Sequence, residues 1–311
     1  MLPLAGWTST LPVSSQQAVL RMGVIADLHH GLDQRALERL ETFMQAVDAR
    51  KPDCLLQLGD FNYGTQESRD CMSLWRQFKG PRYHVLGNHD MDFTTKEEML
   101  SVWSMPSRYY SFDAGGYHFV VLDRNNLKTS DGYVPYAKAN FYVDAPMRAH
   151  ADPEQLAWLQ DDLSATRLPT VVFVHQGLGM LDEAYAPGDA RGAIEAVFEQ
   201  ANREATKVVA CFCGHHHLDR YNVKKGIHYV WLNSASYYWV GEEYGRMAPY
   251  RDALFAFLSF HSDGWIEVEG RQTEWASPTP YERKFPRAAE LTPYISNRRL
   301  SVDTNSATEK Q

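Results

Sequence analysis

An α/β fold with sheets of mixed strand direction is what this sequence predicts, and three observations carry the prediction. Short apolar runs alternate with stretches that repeat apolar residues at helical spacing. The apolar runs end in clusters of polar residues. The later part of the chain holds hairpin patterns with Gly and Asp at their turns. Alternating strands and helices favour parallel strands covered by helices, with functional groups on the loops beyond the strand ends. The later hairpins add antiparallel strands.

In chain order, 21–26 is an apolar strand that runs into Asp27-Leu28-His29-His30-Gly31. Residues 34–50 place Leu37, Leu40, Phe43, Met44 and Val47 on one helical stripe, with Asp33 as the expected N-cap. A second strand, 54–58, leads to Gly59-Asp60-Phe61-Asn62, and 68–78 reads as its covering helix. The third strand, 82–85, delivers Leu86-Gly87-Asn88-His89-Asp90. That stretch presents an amide oxygen, an imidazole and a carboxylate in one tight turn, although a plain strand-to-loop turn uses similar residues. Residues 94–103 predict a helix, and 109–112 pairs with 117–123 across Asp113-Ala114-Gly115-Gly116.

Between Arg124 and Asp152 no periodicity is visible, and Tyr133, Tyr136, Phe141 and Tyr142 give the segment aromatic weight. A long irregular insertion is either a lid over a site or inert surface packing. Residues 153–166 form a helix capped by Asp152, and 170–174 is a fully apolar strand ending at His175. A helix over 189–204 and a strand over 207–212 lead to Gly214-His215-His216-His217. Hairpins follow at 221–232 and 254–268. A single domain over 18–270 is expected, with 124–152 as its insertion. Residues 271–311 read as a C-terminal extension, poorly ordered from Asn297.

Composition narrows the classes of function. Hydrophobic residues make up 44% and charged residues 23% of the 311, as in ordinary globular domains, and no apolar run is long enough to span a bilayer. Residues 1–17 lack the basic start and continuous apolar stretch of a signal peptide. A net charge of −8 disfavours a grip on long nucleic acid but leaves room for a small anionic substrate. Of Cys54, Cys71, Cys211 and Cys213, Cys54 and the 211/213 pair lie in apolar strand-like runs and read as free thiols, and Cys211-Phe212-Cys213 lacks the two-residue gap of zinc and redox motifs. A cytoplasmic location is the matching expectation.

The polar residues that follow strands are Asp27, His29, Asp60, Asn88, His89, His175, His215 and His217, and each is a metal-ligand type or a proton carrier. Residues two apart on a strand face the same way, so Asp27 with His29, and His215 with His217, are expected to converge. His30 and His216 are then expected to face away. Taken singly, a histidine such as His175 is as well read as a structural residue.

Taken together and in order, Asp-x-His, Gly-Asp, Gly-Asn-His-Asp, a lone His after a strand and Gly-His-x-His resemble the calcineurin-like metallophosphoesterase superfamily, over 23–217. The resemblance implies a four-layer α/β/β/α sandwich of two mixed sheets flanked by helices. It implies one metal ion on Asp27, His29, Asp60 and His217, and a second on Asp60, Asn88, His175 and His215, with Asp60 shared. Two divalent ions against two carboxylates leave such a site cationic, which suits a phosphate ester. The resemblance further implies that His89 is the catalytic imidazole, and Asp90 is expected to orient it. The nitrogen and oxygen donors suit Mn or Fe, with Zn also compatible.

The implied reaction is hydrolysis of a small phosphodiester or nucleotide pyrophosphate by a water that the metal pair activates. The alternatives are a phosphomonoesterase of the same fold and, from another class, a non-catalytic metal-binding scaffold. The expected partner is a small organic phosphate, with neither long nucleic acid nor membrane; no oligomeric state is specified. Arg124, Arg246 and Arg251 are the arginines considered for phosphate contact, and the aromatic run 237–239 for stacking on a ring.

Overall fold

The computed structural model describes residues 17–63, 68–179, 191–204 and 207–302. The elements of the first half are β1 (Ala18–Ile25), α1 (Ala36–Arg50), β2 (Cys54–Gln57), α2 (Ser68–Trp75), β3 (Arg82–His84), α3 (Lys96–Trp103), β4 (Tyr110–Ala114), β5 (Tyr117–Leu122), β6 (Asn126–Thr129) and β7 (Gly132–Pro135). The second half adds α4 (Pro153–Ala165), β8 (Thr170–Val174), α5 (Arg191–Glu204), β9 (Val208–Cys213), β10 (Arg220–Lys224), β11 (Ile227–Trp231), β12 (Tyr237–Gly241), β13 (Arg246–Pro249), β14 (Ala256–His261), β15 (Trp265–Gly270) and β16 (Arg298–Ser301).

Two six-stranded sheets stack face to face, ordered β16-β15-β14-β1-β2-β3 and β10-β11-β9-β8-β5-β4. In the first, β1, β2 and β3 are parallel and β14 to β16 antiparallel; in the second, β5, β8, β9 and β11 are parallel between antiparallel edges. Strand alternation explains the layering. Phe119, Val121, Val171 and Phe173 pack between the sheets with Met22, Val24 and Leu56. Their neighbours Val120, Leu122, Val172 and Val174 turn outward onto α4 and α5 residues such as Leu159 and Phe198. Leu55, Phe255 and Phe257 face α1 and α2 through Leu40, Phe43 and Trp75. Three apolar layers between four structural layers give the α/β/β/α sandwich. Because the central strands are buried on both faces, they read as unbroken apolar runs.

Three local expectations change. The N-cap of α1 is Arg35, with no side-chain cap; Asp33 instead accepts from the Arg35 N–H and pairs with the buried Arg39 at 2.6 Å. The insertion is not wholly irregular, since β6 and β7 form a hairpin. Residues 297–302 are not a loose tail: β16 pairs with β15, and Leu300 and Val302 are buried, so the sheet continues past 270. Its short, charged sequence masked it. Residues 303–311, the N-terminal residues 1–16 and most of 177–190 lie outside the described residues. No described helix is long and apolar enough to cross a membrane.

Candidate metal centre

The predicted site residues all sit where strands end. Loops after β1, β2, β3, β8 and β9 supply Asp27 and His29, Asp60, Asn88, His175, and His215 and His217 respectively. Donor atoms of Asp27, His29 and His217 lie within 4.8 Å of one another, as do those of Asp60, His175 and His215. The two groups adjoin: His29 Nε2 is 3.9 Å from Asp60 Oδ2, and His175 Nε2 is 3.9 Å from Asp27 Oδ1. Asp27, His29, Asp60, Asn88, His175 and His217 are all buried.

Convergence does not come from strand alternation. β1 ends at Ile25 and β9 at Cys213, and Asp27, His29, Asp60, His215 and His217 all take positive φ, between 50° and 68°. Non-glycine residues hold that conformation at a cost of about 1–3 kcal/mol each, and such strain gathers at functional sites. Buried bonds fix it in place. The hydroxyls of Ser234 and Ser236 both donate to the Asp27 carbonyl at 2.9 Å. Two glycines are required by close approach: a Cβ on Gly59 would lie 2.3 Å from His175 Nδ1, and one on Gly87 would lie 2.2 Å from Asp60 Oδ1.

Three of the four imidazoles have a partner on the far nitrogen. His175 Nδ1–H donates to the Leu58 carbonyl at 2.9 Å and His217 Nδ1–H to the Tyr237 carbonyl at 2.6 Å, so both direct Nε2 inward. His29 Nδ1 lies 3.2 Å from the Tyr63 hydroxyl. Backbone and hydroxyl partners of this kind orient metal-binding histidines.

The residues fit a pair of cations. His29 Nε2 and His217 Nε2 face each other at 3.1 Å, an arrangement in which two lone pairs oppose unless a cation or proton lies between them. Asn88 Oδ1 is buried without a hydrogen bond, and His175 Nε2 has only the Asp60 carboxylate near it, at 3.1 Å. Burial holds the His29 and His215 imidazoles well below their usual pKa, which keeps them neutral and able to ligate. Although burial opposes it, Asp60 pushes His175 up to about 10, and the histidines hold Asp60 well below the carboxylate range. A metal ion held by these groups would displace that proton, because an imidazole ligates only when its nitrogen is deprotonated.

Above the centre lies a cavity of about 380 Å³ lined by Asp60, Asn88, His89, His215 and His217, and walled by residues of the 136–149 segment. That segment supplies Tyr136, Phe141, Tyr142 and Arg148, so it faces the site rather than packing inertly. Trp239 and Gln176 complete the wall, together with His216, which was expected to face away. Of the arginines singled out, Arg124 is buried and donates to the Ala149, Gln176 and Gly177 carbonyls, and Arg251 pairs with Glu274. Arg246 stacks over Trp239, with its guanidinium carbon 5.4 Å from the ring centre. Arg148 was missed because nothing in its irregular surroundings separates it from a surface arginine.

One role changes. His89 is oriented by Asp92, not Asp90: Nδ1 lies 2.8 Å from Asp92 Oδ2 across a 3₁₀ turn over His89–Met91. Such a turn brings residues three apart onto one side. Burial lowers the His89 pKa, but Asp60 and Asp92 outweigh it and raise the value, favouring a protonated imidazole beside the cavity. Asp90 does something else. Its two oxygens accept the backbone N–H groups of Gly87, Asp60, Phe61 and Asn62, at 2.7–3.1 Å, and so bind the β2 loop to the β3 loop.

A two-sheet sandwich carrying paired carboxylate and imidazole groups defines a dinuclear metallohydrolase centre. The chain belongs to the calcineurin-like phosphoesterase family, whose profile matches residues 20–219, and it is a metal-dependent phosphoester hydrolase. It is similar to the manganese-dependent ADP-ribose/CDP-alcohol diphosphatase of Oryza sativa subsp. japonica, at 24% identity over 86% of this chain and 98% of that one. Among solved structures it resembles a dimetal phosphatase from Danio rerio, with TM-score 0.64, 15% identity and coverage of 92% and 100% of the two chains. It also resembles GAP50, the anchor in the inner membrane complex of Plasmodium, with TM-score 0.59, 14% identity and coverage of 92% and 90%. Those two likenesses concern the fold.

Proposed function

We propose that the protein hydrolyses a small phosphodiester or nucleotide pyrophosphate at a dinuclear centre, with manganese as the favoured metal. The observation that carries the reading is the convergence of Asp27, His29 and His217 with Asp60, His175 and His215 beneath one cavity. Asp27, His29, Asp60 and His217 hold one ion, and Asp60, Asn88, His175 and His215 the other. When bound, the ions supply Lewis acidity toward phosphate oxygens and acidify a coordinated water. His89, held by Asp92 through Nδ1 at 2.8 Å, has its Nε2 free to give a proton to the departing oxygen. Phe141, Tyr142 and Trp239 on the cavity wall offer ring faces to an organic group. Arg148 has no ion pair among the described residues and can take a second phosphoryl group. The rice relative's activity on diphosphate diesters points the same way.

The test is a substrate panel with metal-stripped protein reloaded with Mn²⁺. ADP-ribose and a CDP-alcohol are expected to turn over with a higher kcat/KM than p-nitrophenyl phosphate, and only after reloading. A preference for the monoester would make the protein a phosphomonoesterase. No hydrolysis of any substrate would leave a binding scaffold.

His89 gives a second expectation. His89→Ala should lower kcat by roughly 10²–10⁴-fold, the range for a lost general acid, with metal content unchanged. Asp92→Asn should lose roughly 10–100-fold, as for other partners that orient a working imidazole. The double variant should be little worse than His89→Ala, because Asp92 acts through the imidazole. Multiplying losses would detach Asp92 from His89.

A further inference from the structure

Asp90 binds the β2 loop to the β3 loop, and a second buried side chain carries the connection on to the β8 loop. Asn125 has no exposure, and its Nδ2 donates to the Leu86 carbonyl at 2.7 Å. Its Oδ1 accepts from Gln176 Nε2. Leu86 stands two residues before Asn88, and Gln176 directly follows His175, so one amide spans the two loops that bring those ligands. Among the described residues it makes no bond to the loops that carry Asp27, His29 and His217.

Which way round this amide sits is fixed. Nδ2 also donates to Asp123 Oδ1 at 2.9 Å, and since both of its partners are acceptors, nitrogen and oxygen cannot change places. Asp123 accepts the Asn125 backbone N–H as well, at 2.9 Å, while Lys96 Nζ donates to Asp123 Oδ2 at 2.5 Å and to the Asn125 carbonyl at 2.8 Å. Lys96 and Asp123 are themselves buried. A buried ion pair gains little over apolar residues of the same size, because desolvation offsets the attraction. This pair has a second use, for it grips Asn125 by both its backbone and its side chain.

We propose that Asn125 is a positioning residue for one ion of the pair: by fixing the spacing of the β3 and β8 loops, it sets Asn88 and His175 where a single ion reaches both. This rests on the reading that Asn88 and His175 share an ion. Asn125 does not line the cavity, so it acts through the two loops and not on the substrate. Asp27 and His217 are held from another side, by Ser234, Ser236 and the Tyr237 carbonyl, so the other ion keeps its ligands when Asn125 is changed.

The deciding experiment is Mn²⁺ titration of metal-stripped protein, read by metal analysis and electron paramagnetic resonance. Wild type is expected to bind two ions and give the signal of a coupled Mn²⁺ pair. Asn125→Ala should weaken one ion by roughly 10–100-fold, the loss typical when a group behind a metal ligand is removed, and leave the other little changed. At a Mn²⁺ concentration that fills both positions of the wild type, the variant should hold one ion, with the spectrum of an isolated Mn²⁺ that matches His175→Ala and not His217→Ala. Gln176→Met, which breaks only the β8 end of the span, should act in the same direction, and adding it to Asn125→Ala should do little more. Equal weakening of both ions would reveal general loosening and overturn the proposal. A coupled pair untouched in either variant, or losses that multiply in the double variant, would overturn it too. Should Asn125→Ala not fold, Gln176→Met decides alone. Fewer than two ions in the wild type would instead sink the dinuclear reading itself, an outcome distinct from two ions that no longer depend on Asn125.

Discussion

Asp60→Asn is expected to lower kcat/KM by at least about 10³-fold and to reduce bound metal from about two ions per chain to one or fewer, because about 4 kcal/mol of charge stabilisation at the metal pair is lost. The substitution is unusually clean. Asp60 has φ of +50°, a conformation that Asn tolerates better than other residues with a β-carbon. Asp60 Oδ1 accepts the His89 N–H at 2.8 Å, which would fix the new amide with its oxygen on that side. The amide nitrogen then takes the place of Oδ2, the atom 3.1 Å from His175 Nε2 and 3.9 Å from His29 Nε2. An amide NH₂ has no lone pair for a metal, so the atom shared between the two groups is removed while the backbone stays put. Metal analysis on the purified variant, together with its kcat/KM, is the measurement. Two ions retained per chain would mean that Asp60 does not join the two positions.

Much of this site is legible in the sequence because metal ligands must be chemically distinctive. Asp27, His29, Asp60, Asn88, His175, His215 and His217 all lie just beyond apolar runs, and nothing structural requires an imidazole or carboxylate at so many strand ends. What the residues do not reveal is how they converge. Alternation along a strand is the natural explanation for Asp-x-His, yet the strands stop first and left-handed turns do the aiming. Only tertiary bonds, such as those from Ser234 and Ser236 to Asp27, hold such turns, and those partners lie about two hundred positions away in the chain.

The same limit separates the readable elements from the hidden ones. β2 and β8 are buried on both faces and announce themselves as apolar runs. β6, β7, β13 and β16 are short and partly exposed, and polar, charged, Gly or Pro residues interrupt them, so they look like loops until their partners are known. The cavity wall is the extreme case. Arg148 and Gln176 are ordinary residue types, and it is Arg124, reaching the Ala149 and Gln176 carbonyls, that ties their two segments together.

Asp90→Ala is expected to cost stability before it costs chemistry. The carboxylate accepts the N–H groups of Gly87, Asp60, Phe61 and Asn62 in a site with no exposure. Burial and the Asp60 charge push its pKa up, while those donors pull it down. With the side chain gone, buried donors lose their acceptor at about 1–3 kcal/mol each. Water entering the space recovers part of that, so a net loss of about 3–5 kcal/mol is expected. In a chain of this size that lowers the melting temperature by roughly 5–15 °C. Asp90→Asn should fall between, because its oxygen keeps two of the donors and its NH₂ opposes the other two. Since the freed loops carry Asp60 and Asn88, metal affinity should fall with the melting temperature, and excess Mn²⁺ should restore part of both by binding the folded state. Thermal melts with and without added metal measure this. A variant that melts like the wild type and loses turnover alone would return Asp90 to the role of partner to His89, and would require that His89 break from Asp92 during the reaction.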